Sequence, residues 1–287
     1  EVFILTRGSE NRRIFIQGQC HCLIGDVRKP KTCQMFFDGN IHYDVIIDFL
    51  SMNKRQLIST LEMVRGTFTQ YVFISSATVY KRGNAIISEK LTRGNDIWEY
   101  AYNKYLCEEY LPVYFRDLND CYYTIIRPYV TYGNTRVPYP LVPRGTLKEW
   151  SFVQRIKNGQ TVIMFDKGNT ETALLHTHDF AFFVVGLFAN PQAYNNDFHI
   201  ANEKSTSWGE VLRLLSRLLN KTPLIVDVPK EDIVAYMPEY EKVLYGDKGV
   251  DVRFDMSKIM AVVPNHKVPI SLEEGLKDML SFYERNP

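Results

Sequence analysis

Five short, almost unbroken apolar runs, set apart by longer segments, constrain the fold of this chain most. They are Val2–Thr6 (VFILT), His21–Ile24 ahead of Gly25-Asp26, Asp44–Leu50 (DVIIDFL), Tyr71–Ser76 (YVFISS) and Tyr123–Arg127 (YTIIR). β-Branched and aromatic residues dominate them, and polar residues do not alternate with apolar ones. That pattern marks strands covered on both faces, as in a parallel sheet. Lys54–Val64 carries apolar residues at helical spacing, and Asp96–Arg116 is long enough for a second helix. Strand and helix in alternation predict right-handed βαβ units and an α/β fold with a doubly wound parallel sheet.

The last third reads differently. Helices are expected at Trp150–Asn158, His178–Phe188, Ser207–Leu219 and Ser271–Tyr283, with strands at Thr161–Phe165 and Phe198–Ala201. The order becomes irregular there, and we expect a smaller C-terminal α/β lobe. On this reading residues 1–133 and 171–202 form one domain, and 134–170 with 203–287 form a lobe on the carboxyl edge of the sheet. Ligands of open α/β sheets sit outside the carboxyl ends of the strands, so the site is expected in the cleft between them.

Composition excludes several classes. The 287 residues carry 34 basic and 33 acidic side chains, a formal net charge of +1. Long-range attraction to a polyanion needs a charge surplus, so nucleic acid is not an expected partner. An aromatic content of 13% argues against disorder. No apolar run approaches the roughly 20 residues of a membrane span, and EVFILTRG lacks the basic start of a signal peptide. Five scattered cysteines suit a reducing, cytoplasmic compartment. Cys20-His21-Cys22 with Cys33 does not argue for zinc, because on a strand the histidine points away from the cysteines. No metal is expected.

The residues that carry chemistry begin with Tyr100-Ala-Tyr-Asn-Lys104. Four helical residues put the tyrosine and lysine on one face, one turn apart. A free phenol, with a pKa near about 10, is a poor base at neutral pH; a neighbouring ammonium stabilises the phenolate and makes it usable. Upstream, a buried-type strand ends in Ser75-Ser76-Ala77-Thr78-Val79-Tyr80, which aims a hydroxyl into the cleft. Downstream, the next strand ends in Arg127-Pro128-Tyr129-Val130-Thr131-Tyr132-Gly133. His176 and His178 are expected to pack and hydrogen-bond.

In this order these segments, with the Gly25-Asp26-Val27 turn, His176-Thr-His-Asp179 and the closing FDMSK and SLEEGL, resemble the extended short-chain dehydrogenase/reductase superfamily. Within it the chain is similar to the NAD-dependent epimerase/dehydratase group, and the match runs over essentially the whole chain. SSATVY is similar to UDP-galactose 4-epimerase; Trp150–Asp179 looks closer to the branch of the chloroplast stem-loop-binding proteins. The resemblance implies a Rossmann-type sheet and a set of roles. Ser76 would hold the reacting hydroxyl, Tyr100 would be the acid/base, and Lys104 would bind the nicotinamide ribose and tune Tyr100. Thr78 would be a supporting substrate contact. Asp26 and Val27 would meet the adenine, Leu50 and Ser51 the dinucleotide, and Pro128, Tyr129 and Val130 the nicotinamide. Asn134 and Arg155 are further candidates for the substrate. A homodimer through the two long helices would follow the superfamily pattern.

Three departures shape the expectation. No GxxGxxG phosphate turn occurs in the sequence, and VFILTRG matches the family's second strand, from which we expect an upstream strand, turn and helix. That second strand ends in Thr6-Arg7-Gly8 with no acid, which favours NADP over NAD, with Arg12 or Arg13 as helpers. Asp166–Asp179 lacks the arginine that sugar-nucleotide enzymes of the family use for the substrate pyrophosphate; Arg155, Lys157 and Arg136 are the substitutes at hand. Ala77-Thr78 stand where dehydratases carry an Asp-Glu pair, which argues against sugar dehydration.

The expected function is an NAD(P)-dependent nucleotide-sugar epimerase. A close alternative is an NADPH-dependent reductase of a keto-sugar nucleotide or related carbonyl. A second alternative, from a different class, is a non-catalytic RNA-associated member of the same fold, against which the near-zero charge and intact Ser76, Tyr100 and Lys104 both argue.

Overall fold

The structure is a computed structural model, and it describes residues 1–8, 20–83, 86–143, 146–264 and 269–285. Its centre is a four-stranded, all-parallel sheet in the order β11-β6-β4-β3, built from β3 (Tyr43–Asp48), β4 (Phe68–Ile74), β6 (Tyr122–Pro128) and β11 (Asn196–Ile200). Two helices complete the crossovers as expected: α1 (Lys54–Val64) between β3 and β4, and α2 (Glu99–Phe115) between β4 and β6.

The unbroken apolar run of β4 has a direct cause, because both its faces are covered. Tyr71 and Phe73 pack with Leu57 and Leu61 of α1 and Cys107 and Leu111 of α2. Val72 and Ile74 point the other way, into a core shared with Phe183 and Val184 of α4 (Thr177–Gly186). Gln70 is the buried exception in this strand. Its amide donates to Thr124 Oγ1 (2.9 Å) and the Leu187 carbonyl (3.0 Å) and accepts from the Ala189 amide (2.8 Å), which seats the end of α4 on the sheet.

The remaining pairings are short. β1 (Phe3–Thr6) pairs with β2 (His21–Ile24), β5 (Ile86–Ile87) with β14 (Arg253–Phe254), and β7 (Val130–Tyr132) with β10 (Leu174–His176). β8 (Val162–Met164) pairs with β13 (Ile225–Asp227), and β9 (Glu171–Thr172) with β12 (Thr206–Ser207). Around them lie α3 (Thr146–Lys157), α5 (Trp208–Leu218), α6 (Lys230–Tyr236), α7 (Glu241–Gly246), α8 (Ser257–Val262) and α9 (Leu272–Arg285). Their apolar residues, including Trp208, Leu212, Leu276 and Met279, continue the same core that begins at Val72.

Two expectations are corrected in detail. The apolar runs do not join one sheet, since β1 and β2 form a separate parallel pair. Phe3 and Tyr43 meet through their rings, edge to face at 5.8 Å, where a ladder would need backbone contact. The third strand stops at Asp48 and not at Leu50. Asp48 turns the chain by accepting the amides of Leu50 (2.8 Å) and Ser51 (2.9 Å) on one carboxylate oxygen.

Candidate active site

The strand ends bring part of the expected set together. β4 stops at Ile74, and Ser76 caps a single 3-10 turn, Ala77–Val79. Ser76 Oγ accepts the Thr78 amide (3.2 Å) and the Thr78 hydroxyl (2.9 Å). A hydroxyl has two acceptor lone pairs and one proton. With both acceptor positions taken, the Ser76 proton is left to donate. Thr78 is buried, and its own proton is spent on Ser76.

Lys104 sits on the inner face of α2, one turn after Tyr100, and is 1% exposed. Its ammonium donates to the carbonyls of Ser51 and Ile74, both at 2.7 Å, and lies 4.6 Å from the centre of the Phe73 ring. An ammonium carries three protons, and the third has no acceptor among the described residues. Burial pushes the lysine pKa down, opposed by the charge of nearby Asp48. Two predicted residues are thus joined directly, Lys104 and Ser51. Ile74 ties the same ammonium to the strand end two residues before Ser76. Tyr100 is half-buried at the start of α2, with its ring 5.3 Å from that of Trp98.

The other candidates are distributed along the strand ends. Arg7 is exposed directly after β1, and the Gly25 amide, donating to the Thr6 carbonyl (2.9 Å), holds the Asp26-Val27 turn beside it. Asp26 accepts the Arg28 amide (3.0 Å). Arg12 and Arg13 lie outside the described residues. Leu50 is 48% exposed, while Ser51 is buried. Pro128 ends β6 in register with Ile200, and Val130 opens β7 opposite Leu174. The Tyr129 ring is buried between the Arg82 guanidinium (5.6 Å) and Phe254 (4.9 Å).

Asn134 and Arg136 line a cleft of about 250 Å³ with Thr131, Thr135, Thr177 and His178. Gly133 beneath it admits no side chain, since a Cβ there would meet Thr177 Oγ1 at 2.5 Å. Arg155 Nε and Nη2 both donate to the Thr161 carbonyl (3.1 and 2.8 Å), closing the connection from α3 to β8. Lys157 pairs with Glu284. His176 caps α4, its Nδ1 accepting the His178 amide (3.3 Å), and burial lowers its pKa. His21 stacks on Phe3 at 4.9 Å.

Sequence reasoning missed a buried ionic network beside this site, centred on Glu108 and Arg127. Signals existed. Glu108 stands four residues after Lys104 on the same helical face, and Arg127 closes an apolar strand, where a charge demands a partner.

The sequence profile of the NAD-dependent epimerase/dehydratase family matches residues 1–201. The chain belongs to that family. No curated protein shows significant sequence similarity to it. Among solved structures, UDP-glucose 4-epimerase of Thermus thermophilus in complex with NAD is similar at a TM-score of 0.74 and 15% identity, covering 99% of this chain and 91% of that one. UDP-glucuronic acid 4-epimerase of Bacillus cereus in complex with NAD follows at 0.72 and 13%, covering 96% and 82%. RMD of Pseudomonas aeruginosa complexed with NADPH gives 0.75 and 13%, covering 100% of both chains. At these identities the likeness establishes the shared Rossmann-like fold. No helix among the described residues is long and apolar enough to cross a membrane.

Proposed function

We propose that this family member is an NAD(P)-dependent nucleotide-sugar epimerase that works at a sugar carbinol. The observation that supports the reading is the hydrogen bond from Lys104 to the carbonyl of Ile74, two residues before Ser76 in the chain, with Tyr100 one helical turn before Lys104. The nicotinamide, when bound, supplies a hydride acceptor and donor. The chain's own residues do the rest. Ser76 holds the substrate oxygen by donating a hydrogen bond to it, Tyr100 as phenolate takes the hydroxyl proton while the adjacent carbon gives up hydride, and Lys104 keeps the phenolate accessible. Return of the hydride to the opposite face of the keto carbon, with the proton on Tyr100 going back to the oxygen, completes epimerisation.

The residues at the nicotinamide end fit this cofactor. A buried ammonium with one proton lacking an acceptor among the described residues suits a ribose hydroxyl. The sequence contains no glycine-rich phosphate turn, so the pyrophosphate is assigned to no residue. Arg7, exposed where the strand ends in Thr6-Arg7-Gly8 with no acidic residue in that stretch, favours the 2′-phosphate of NADP and with it the second reading, a reductase of a keto-sugar nucleotide. We assign the cofactor to 1–133 and 171–202 and the substrate to 134–170 and 203–287. We assign pairing of two copies to α1 and α2, where Tyr102 (43%) and Val113 (53%) expose apolar surface.

Mass spectrometry of small molecules released from the purified protein tests the reading. NAD(H) or NADP(H) together with a nucleotide sugar supports it. A thermal shift with RNA and none with either dinucleotide contradicts it.

A further inference from the structure

Glu108 faces inward from α2, one turn beyond Lys104 and two beyond Tyr100, and its side chain is fully buried (0% exposed). A carboxylate removed from water must be met by donors. Four meet it. Arg127 Nε and Nη2 bind its two oxygens as a fork, both at 2.9 Å; Arg93 Nη1 binds at 2.7 Å and the Ser75 hydroxyl at 2.5 Å. Arg127, itself 1% exposed, passes the connection on to Tyr80 OH (2.8 Å) and to Asp197 of β11 (2.5 Å).

The partners of Glu108 are placed with respect to the site. Ser75 immediately precedes Ser76. Arg127 immediately precedes Pro128, Tyr129 and Val130. Arg93 belongs to the segment that leads into α2. One carboxylate therefore joins the helix of Tyr100 and Lys104 to both strand ends that the proposed reaction uses.

Stability alone does not account for charges at this place. A buried ion pair roughly breaks even against apolar side chains of the same volume, whereas a forked arginine–carboxylate contact fixes orientation as well as distance. We propose that Glu108 is a positioning residue, which sets α2 against the ends of β4 and β6 so that Tyr100 and Ser76 meet one substrate oxygen. The proposal rests on the roles assigned above to Tyr100, Lys104 and Ser76.

The test combines hydrogen exchange with steady-state kinetics on Ser75→Ala, Glu108→Gln and Glu108→Asp in the full chain. Ser75→Ala removes one arm and leaves the arginine fork, so it keeps the protein folded if Glu108→Gln does not. Expected for Ser75→Ala are a Tm lowered by only a few degrees, exchange in residues 74–80 and 99–104 faster by about tenfold, and kcat lowered about tenfold with KM held within about twofold. Glu108→Gln should go further in the same direction, and Glu108→Asp, which keeps the charge, should recover part of the loss. Exchange unchanged in both segments, a rise spread evenly over β3 and β11, or a local rise with kcat intact would each overturn the proposal. Tyr100→Phe separates the two ideas. If it leaves turnover intact the reading of the site fails, and the exchange data still decide whether Glu108 orders the strand ends.

Discussion

Lys104→Met separates a structural staple from a functional ammonium. The substitution removes two hydrogen bonds of 2.7 Å from a charged donor and leaves the Ser51 and Ile74 carbonyls without it. Each orphaned carbonyl costs about 1–3 kcal/mol. Against that, the buried ammonium carries a desolvation penalty of several kcal/mol, which methionine of similar length does not. The two effects are of similar size and opposite sign, so stability by urea unfolding should change by no more than about 2 kcal/mol. Function has no such compensation. Dinucleotide affinity, read by NAD(P)H fluorescence titration, should weaken at least about tenfold, and turnover should fall by about 10² or more with loss of phenolate stabilisation. The pH dependence checks the same residue. Its pKa is depressed in the fold, so between that value and the ordinary lysine value the unfolded chain binds the extra proton, and the stability of wild type relative to Lys104→Met should rise with pH there. A variant destabilised by more than about 3 kcal/mol with unchanged dinucleotide affinity would refute the reasoning, because Lys104 would then be a staple only.

Other outcomes follow from the same structure. Arg7→Glu should weaken NADP binding more than NAD binding in parallel titrations; equal effects would remove Arg7 from the 2′-phosphate. Burial lowers the pKa of both His176 and His199, so the unfolded chain takes up protons first as pH falls below about 6.5. Wild-type stability should decline over that acid window by at most about 1.4 kcal/mol per pH unit for each histidine, and His176→Asn should remove its share of the slope and leave that of His199. Thr78→Val should release the Ser76 hydroxyl and lower kcat with little change in Tm, since Ser76 Oγ would lose the 2.9 Å donor that orients it; an unaltered kcat would dissociate Thr78 from the site.

The order β3-α1-β4-α2-β6 was legible because each element is long and apolar enough to impose its period. The tyrosine–lysine face of α2 was legible for the same reason. The pairs β5–β14, β9–β12 and β8–β13 were not, because strands of two or three residues carry no period and find partners far along the chain. The break between β1 and β3 was hidden as well, since apolar composition says that a strand is buried and not which neighbour it bonds. Arg155 shows a related limit, since its position in the sequence does not reveal that its guanidinium bonds the Thr161 carbonyl six residues away. Glu108 and Arg127 were visible as residues, but their pairing joins a helix to a strand, a contact that neither local spacing nor composition encodes.

In the proposed reaction Tyr100 moves the proton while a bound nicotinamide exchanges hydride with a sugar carbon. Stopped-flow absorbance at 340 nm, on mixing the protein saturated with oxidised NAD or NADP with UDP-hexoses, tests it most directly. Wild type should show reduced nicotinamide appearing with at least one sugar, and Tyr100→Phe should show none while still binding the dinucleotide. Reduction by Tyr100→Phe at the wild-type rate would contradict the account.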